Sequence, residues 1–206
     1  MTTPATDDVD DFALLERWRA GEAPAGQMLV RRHTATLHRF FASKAPEAVE
    51  DLVQATFLVC VESRDRFRED AAFRTYALAI ARKSLFKHYR KRLRGRRALQ
   101  LEAVCADQVS ASPSLAAATR EEMRFLLAAL RQIPIDHQIA IELYYWEELP
   151  IAEIADVLEI APGTVKSRLA RARDQLRAAI LAGPAPAAVR KNTLDELDRW
   201  ARELRG

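Results

Sequence analysis

Two stretches of this 206-residue chain carry residue types and spacings suited to chemistry. The first runs from Arg74 to Arg97, RTYALAIARKSLFKHYRKRLRGRR, and contains no acidic residue. Arg74, Arg82, Lys83, Lys87, Arg90, Lys91, Arg92, Arg94, Arg96 and Arg97 supply its cations, with Phe73, Tyr76, Phe86 and Tyr89 in and around it. Exposed helices normally intersperse their signs. An uncompensated cationic helix suits a polyanion, because its charges neutralise phosphates while aromatic faces take up unstacked bases. Core packing is the competing role for the aromatics, and the favoured one for Phe73 and Phe86.

The second stretch, IAEIADVLEIAPGTVKSRLARARDQL, starts at Ile151. Ile151, Ile154, Ala155 and Leu158 repeat at i, i+3, i+4 and i+7, one face of a helix. Ile160 fills a turn, and Pro162 suits the first turn of a new helix, where its missing N–H costs nothing. Val165, Leu169, Ala172 and Leu176 form the next buried stripe. Thr164, Lys166, Ser167, Arg168, Arg171 and Arg173 fall on its flanking or exposed faces. Two short helices across a tight turn place the second in a DNA major groove. The bland alternative is an αα-hairpin with a solvated basic face. Glu159 occupies a turn position easiest for a left-handed glycine, and Ala161 is a poor N-cap.

Neither stretch belongs to an enzyme motif. The chain has no G-x-x-x-x-G-K, no G-x-G-x-x-G and no paired-cysteine metal motif, and His33 and His38 are five apart. No cofactor or metal is expected. Cys60 and Cys105 match no redox spacing, no apolar run approaches a membrane span, and the polar, acidic N-terminus is unlike a signal peptide. A cytoplasmic protein with reduced thiols is the expectation.

The elements that must position these residues are helical. The composition is 49% hydrophobic and 30% charged with only 6 glycines, and long Ala, Leu, Arg and Glu runs favour helix. DFALLERWRAG puts Phe12, Leu15 and Trp18 on one face with a stop at Gly21. A second helix over about 25–43 turns Leu29, Leu37, Phe40 and Phe41 inward. After Pro46 a third carries Val49, Leu52, Val53, Ala55, Thr56, Phe57, Val59 and Cys60. A polar loop around RFREDAA leads into the basic helix. The segment ADQVSASPSLAAAT reads as a linker. GPAPAA at 183–188 is a further break, before a terminal helix capped at Asn192 or Thr193 with Leu194, Leu197, Trp200, Ala201 and Leu204 as its apolar stripe. The fold class is all-α: two small helical domains at 1–97 and 120–182, a linker at 98–119, and an extension at 183–206.

Taken in order, EDLVQATFL at 50–58, RFREDAAFRTYALAIAR at 66–82 and LPIAEIADVLEIAPGTVKSRLARAR at 149–173 resemble the sigma-70 family of RNA polymerase sigma factors, in its two-domain extracytoplasmic-function (ECF) group. The resemblance covers roughly 12–180. It implies a partner for core RNA polymerase and promoter DNA, and it admits an anti-sigma factor. It implies that Asp51, Gln54 and Phe57 dock on the polymerase clamp. Arg74, Tyr76, Arg82, Lys83, Lys87, Tyr89, Arg90 and Lys91 would read and melt the −10 element. Thr164, Lys166, Ser167, Arg168, Arg171 and Arg173 would read the −35 element through a helix-turn-helix. Tyr76 stands where relatives often have Trp, and Lys83 and Lys87 where they often have Asn and Asp. A helix-turn-helix regulator that never replaces a sigma factor is the alternative, and only the second domain would serve it.

Overall fold

Residues 9–66, 72–93, 105–106 and 121–203 are described by a computed structural model, and apart from an isolated bridge between Cys105 and Pro134 their regular structure is helical. Helix α1 (Asp11–Arg19) ends at Gly21, whose φ of +97° is open to glycine at no cost. Its buried stripe is Leu14, Leu15 and Trp18. Phe12, expected inside, is 43% exposed. Asp11 holds the inward first-turn place instead, one turn before Leu14 and Leu15. Arg32 Nη1 donates to its Oδ1 at 2.5 Å, and His33 Nε2 lies 2.6 Å from its Oδ2. Burial pushes the Asp11 carboxyl up, but His33 and Arg32 outweigh it and the net shift is down.

Helix α2 (Ala23–Ala42) buries Leu29, His33, Leu37, Phe40 and Phe41 as its spacing dictates. The Trp18 ring lies on Gly26, where a Cβ would sit 2.5 Å from Nε1, so glycine is what lets α1 close on α2. Helix α3 (Val49–Glu62) turns Val49, Leu52, Val53, Thr56, Phe57 and Cys60 inward. Ala55 and Val59, also expected inside, are exposed together with Leu58 and Val61. The helix has more apolar positions than one stripe can bury, and the surplus faces outward.

Helix α4 (Phe73–Arg92) is the basic helix, and it is buried on two sides. Phe73, Leu78, Leu85, Phe86 and Tyr89 are in the core. Arg94, Arg96, Arg97 and most of the linker lie outside the described residues. Cys105 and Ala106 are described: the Cys105 thiol donates to the Gln132 carbonyl at 3.0 Å, and Ala106 is fully buried.

The second block comprises α5 (Glu121–Leu130), α6 (Ile135–Tyr145), α7 (Ile151–Leu158) and α8 (Pro162–Ala182). The α7–α8 turn follows its sequence reading closely. Glu159 sits left-handed at φ 57°, ψ 44°, Pro162 opens α8, and Ala161 caps with no side-chain bond. Val165, Leu169, Ala172 and Leu176 are buried, and Ile180 extends the stripe. Helix α9 (Ala187–Glu203) packs on α5 and α8. It starts before the expected Asn192 or Thr193 cap, and the Thr193 hydroxyl is an interior group donating to Val189 O at 2.8 Å. Leu194 packs on the α5–α8 core, whereas the side chains of Leu197, Trp200, Ala201 and Leu204 are outside the described set.

The two helical blocks do not stand apart. One hydrophobic core runs from α1–α4 into Ile135, Ile139, Leu143, Ile154, Ala155, Leu158, Val165 and Leu169, and a smaller core joins α5, α6 and α8. Two blocks this small bury limited surface alone. Each leans on the other. No described helix is long and apolar enough to cross a membrane.

Candidate nucleic-acid interface

The cations of α4 divide by position along the helix. Lys87, Arg90 and Lys91 are exposed and, with Arg92, Ser84 and His88, line an open groove of about 830 Å³ that Ala48, Asp51, Leu52 and Ala55 also line. Arg92 is partly exposed and pairs with Glu47, which also lies 3.6 Å from His88 Nε2. Arg74 is half-buried at the start of α4. Tyr76 is half-buried with its hydroxyl 2.5 Å from Ser63 Oγ, and burial raises its phenol pKa. Tyr89 departs from its expected place on a DNA face. It is fully buried and donates its hydroxyl to Lys44 O at 3.0 Å, because position 89 falls on the same stripe as Leu85 and Phe86. Burial pushes its pKa well above the ordinary tyrosine value.

Arg82 and Lys83, also expected to face DNA, are engaged with the second block. Arg82 Nε donates to Asp136 Oδ1 at 3.0 Å and its Nη2 to Oδ2 at 3.2 Å, a forked arrangement. The guanidinium carbon also lies 4.8 Å from the Phe86 ring centroid. Lys83 Nζ is 2.6 Å from Glu159 Oε1.

Along α8, Thr164, Lys166, Ser167 and Arg171 are exposed, and Ser167 donates to Thr164 O at 3.0 Å. Arg173 is half-buried. Arg168 turns inward: its Nη1 is 3.0 Å from Asp136 Oδ2, an ion contact whose angle is poor for a hydrogen bond. Asp136, 2% exposed, thus faces one arginine from each expected DNA surface.

On α3, Asp51 and Gln54 are exposed beside Ala55 and Leu58, the last 55% exposed. Phe57, expected on the same face, is 9% exposed and packs in the core one stripe away, so the apolar side chain exposed beside Asp51 and Gln54 is Leu58.

Sequence reasoning missed the carboxylates. Lys44, fully buried, pairs with Glu142. Burial drives the Lys44 pKa down against the pull of Glu142. Arg39 Nη2 reaches Glu147 Oε1 at 3.0 Å, and the Thr75 hydroxyl donates to Glu153. A legible signal existed: from Gln132 to Val165 the chain has Asp136, Glu142, Glu147, Glu148, Glu153, Asp156 and Glu159 and not one Lys or Arg.

Comparison with known proteins agrees with this architecture. The family described as Sigma-70 region 2 matches residues 28–95, and Sigma-70, region 4 matches residues 125–176. The RNA polymerase sigma factor CarQ of Myxococcus xanthus is 32% identical over 168 residues, covering 79% of this chain and 93% of CarQ. The ECF RNA polymerase sigma-E factor of Escherichia coli is 28% identical over 180 residues, 83% of this chain and 94% of that protein. Among solved structures, CnrH in complex with the cytosolic domain of CnrY has a TM-score of 0.61 at 27% identity, covering 85% of this chain and 99% of CnrH. Bartonella quintana RpoE in complex with the anti-sigma factor NepR also has a TM-score of 0.61, covering 76% of this chain and 96% of RpoE; at 23% identity it bears on the fold alone. The chain belongs to the sigma-70 family, as an ECF RNA polymerase sigma factor. Such a protein directs RNA polymerase to promoters and is a specificity subunit, not an enzyme.

Proposed function

We propose that this sigma factor meets polymerase and promoter through three surfaces, the first two adjoining at Asp51 and Ala55, and that it works in the cytoplasm. The exposed face of α3, Asp51, Gln54, Ala55 and Leu58, docks on core polymerase. The groove edged by Lys87, Arg90 and Lys91 holds the melted −10 strand, with Arg74, Tyr76, Arg82 and Lys83 along the same helix. Thr164, Lys166, Ser167, Arg168, Arg171 and Arg173 read the −35 element, α7 and α8 acting as a helix-turn-helix. The observation that carries this reading is the open groove, where a cationic wall adjoins a side formed by Ala48, Leu52 and Ala55 with the single carboxylate of Asp51. Melting leaves phosphates to neutralise and bases to shelter, and that pairing serves both. Apolar Leu58 beside Asp51 and Gln54 likewise suits a protein partner better than solvent.

Run-off transcription with core polymerase lacking any other sigma tests it. The chain is expected to support initiation from its promoter. Lys87→Glu/Arg90→Glu/Lys91→Glu is expected to impair opening and to flatten the salt dependence of binding by about three phosphate equivalents. Tight duplex binding without polymerase-dependent initiation would favour the regulator. CnrH is solved in complex with the cytosolic domain of CnrY, and an anti-sigma factor is the third partner proposed for this chain.

A further inference from the structure

One buried nitrogen at the groove has nothing to bond. Glu47 sits on the single turn Pro46–Ala48 between α2 and α3 and pairs with Arg92, the last residue of α4. His88, one turn earlier on α4, places Nε2 3.6 Å from the same carboxylate oxygen, beyond hydrogen-bond range. That Nε2 is buried and finds no hydrogen-bond partner among the described residues. Buried polar atoms are rarely left so, and each one calls for a reason. Both His88 and Arg92 line the groove, beside Lys87, Arg90 and Lys91. Those three cations have no carboxylate partner among the described residues, and Asp51, the carboxylate in the lining, pairs with none of them. Of the described cations that line the groove, Arg92 is the one already held by a carboxylate.

A DNA phosphate in the groove offers Arg92 a second anion. The Arg92 side chain is 40% exposed, so its guanidinium has room to turn. Its departure would strand the Glu47 carboxylate unless another donor takes it. His88 Nε2 is placed to do so, since a shift of about 0.7 Å brings it into hydrogen-bond range. We infer that Arg92 is a further contact of the groove, to a phosphate of the single strand, and that His88 releases it by taking over Glu47. The exchange conserves pairing. One carboxylate–guanidinium bond becomes one phosphate–guanidinium bond and one carboxylate–imidazole hydrogen bond, with the proton on Nε2 throughout. His88 and Glu47 are positioning residues, acting on DNA only through Arg92. The orphaned nitrogen is the donor that the DNA-bound arrangement uses.

This deepens the reading of the groove as the seat of the melted −10 strand, and rests on it. The test uses holoenzyme assembled from core polymerase and this chain, with a forked promoter DNA whose −10 segment is single-stranded. It measures the slope of log affinity against log salt. Arg92→Gln is expected to lower the magnitude of that slope by about 0.7, the share of one single-strand phosphate. His88→Phe, which keeps a ring and removes the donor, should lower it equally, because Glu47 then retains Arg92. His88→Gln, which restores an N–H, should return the parental slope. In a Glu47→Gln background Arg92 is already free, and His88→Phe should change nothing, whereas a direct contact of His88 with DNA would still show there. Arg92 is on the surface, so Arg92→Gln tests the contact even if a His88 variant fails to fold. A parental slope in Arg92→Gln, or an undiminished effect of His88→Phe in the Glu47→Gln background, overturns the exchange. Fork binding that is absent, or indifferent to Lys87→Glu/Arg90→Glu/Lys91→Glu, would instead remove the groove reading itself, and the exchange with it.

Discussion

Cys60 shows how completely a sulfur can be withdrawn from chemistry by its surroundings. It is 1% exposed, and burial pushes its thiol from 9.0 up to about 12. Alkylating reagent in native buffer at pH 8 should therefore modify the half-buried Cys105 alone, and both thiols after denaturation, as counted by mass spectrometry. Rapid native labelling of Cys60 would contradict its burial. Between pH 9 and 12 the folded chain keeps a proton that the unfolded chain has lost. Stability from this group is thus complete below about pH 9 and declines by about 1.4 kcal/mol per pH unit as pH rises toward the folded value. Cys60→Ala should flatten that alkaline limb in denaturant titrations. Asp136 is the opposite case at the same scale: it stays in the interior because two guanidinium groups face it. Removing one partner of such a buried cluster strands the others, typically at about 3–5 kcal/mol.

At the scale of elements, the helix spans and the α7–α8 turn were legible because a 3.6-residue period and a Pro at the start of α8 are local signals. Glu159 is the test of that local reading. It holds a left-handed conformation that costs a side chain about 1 kcal/mol relative to glycine, and its bond to Lys83 joins two exposed ends. Glu159→Gly should stabilise the protein by about 0.5–1 kcal/mol in chemical denaturation, the surface ion pair returning a few tenths at most. A loss of stability would mean that the ion pair matters more than the backbone strain. Illegible were the positions where pattern offers two inward choices. Phe12 lost its place to Asp11, whose partners Arg32 and His33 are on another helix; Val59 and Ala55 were left outside by a stripe already filled. Tyr89 looked like a base-stacking ring because its neighbours are cations, yet its own register assigns it to the core.

At the scale of the molecule, composition and order of motifs were enough to reach an all-α chain with two helical parts and to identify its family resemblance. They could not show that the parts share one core, since that depends on which charged face meets which in space. Opposed runs of like charge, acid-free in α4 and cation-free around α6 and α7, are the feature of the sequence that encodes it. Under the function proposed above, the exposed face of α3, the groove that it shares with Lys87 and the exposed edge of α8 would be engaged all at once only in a larger assembly. Tethering of that kind raises the effective concentration of each weak contact without any new chemistry.

The most direct measurement is site-specific photocrosslinking in a complex of core polymerase, this chain and promoter DNA, with the photoreactive group placed at Lys87 in one sample and Lys166 in another. Crosslinks from position 87 should map to the −10 element and those from position 166 to the −35 element, about 25 base pairs and roughly 85 Å apart on the same duplex. Crosslinks from both positions to the same few base pairs, or from position 166 alone, would contradict the account.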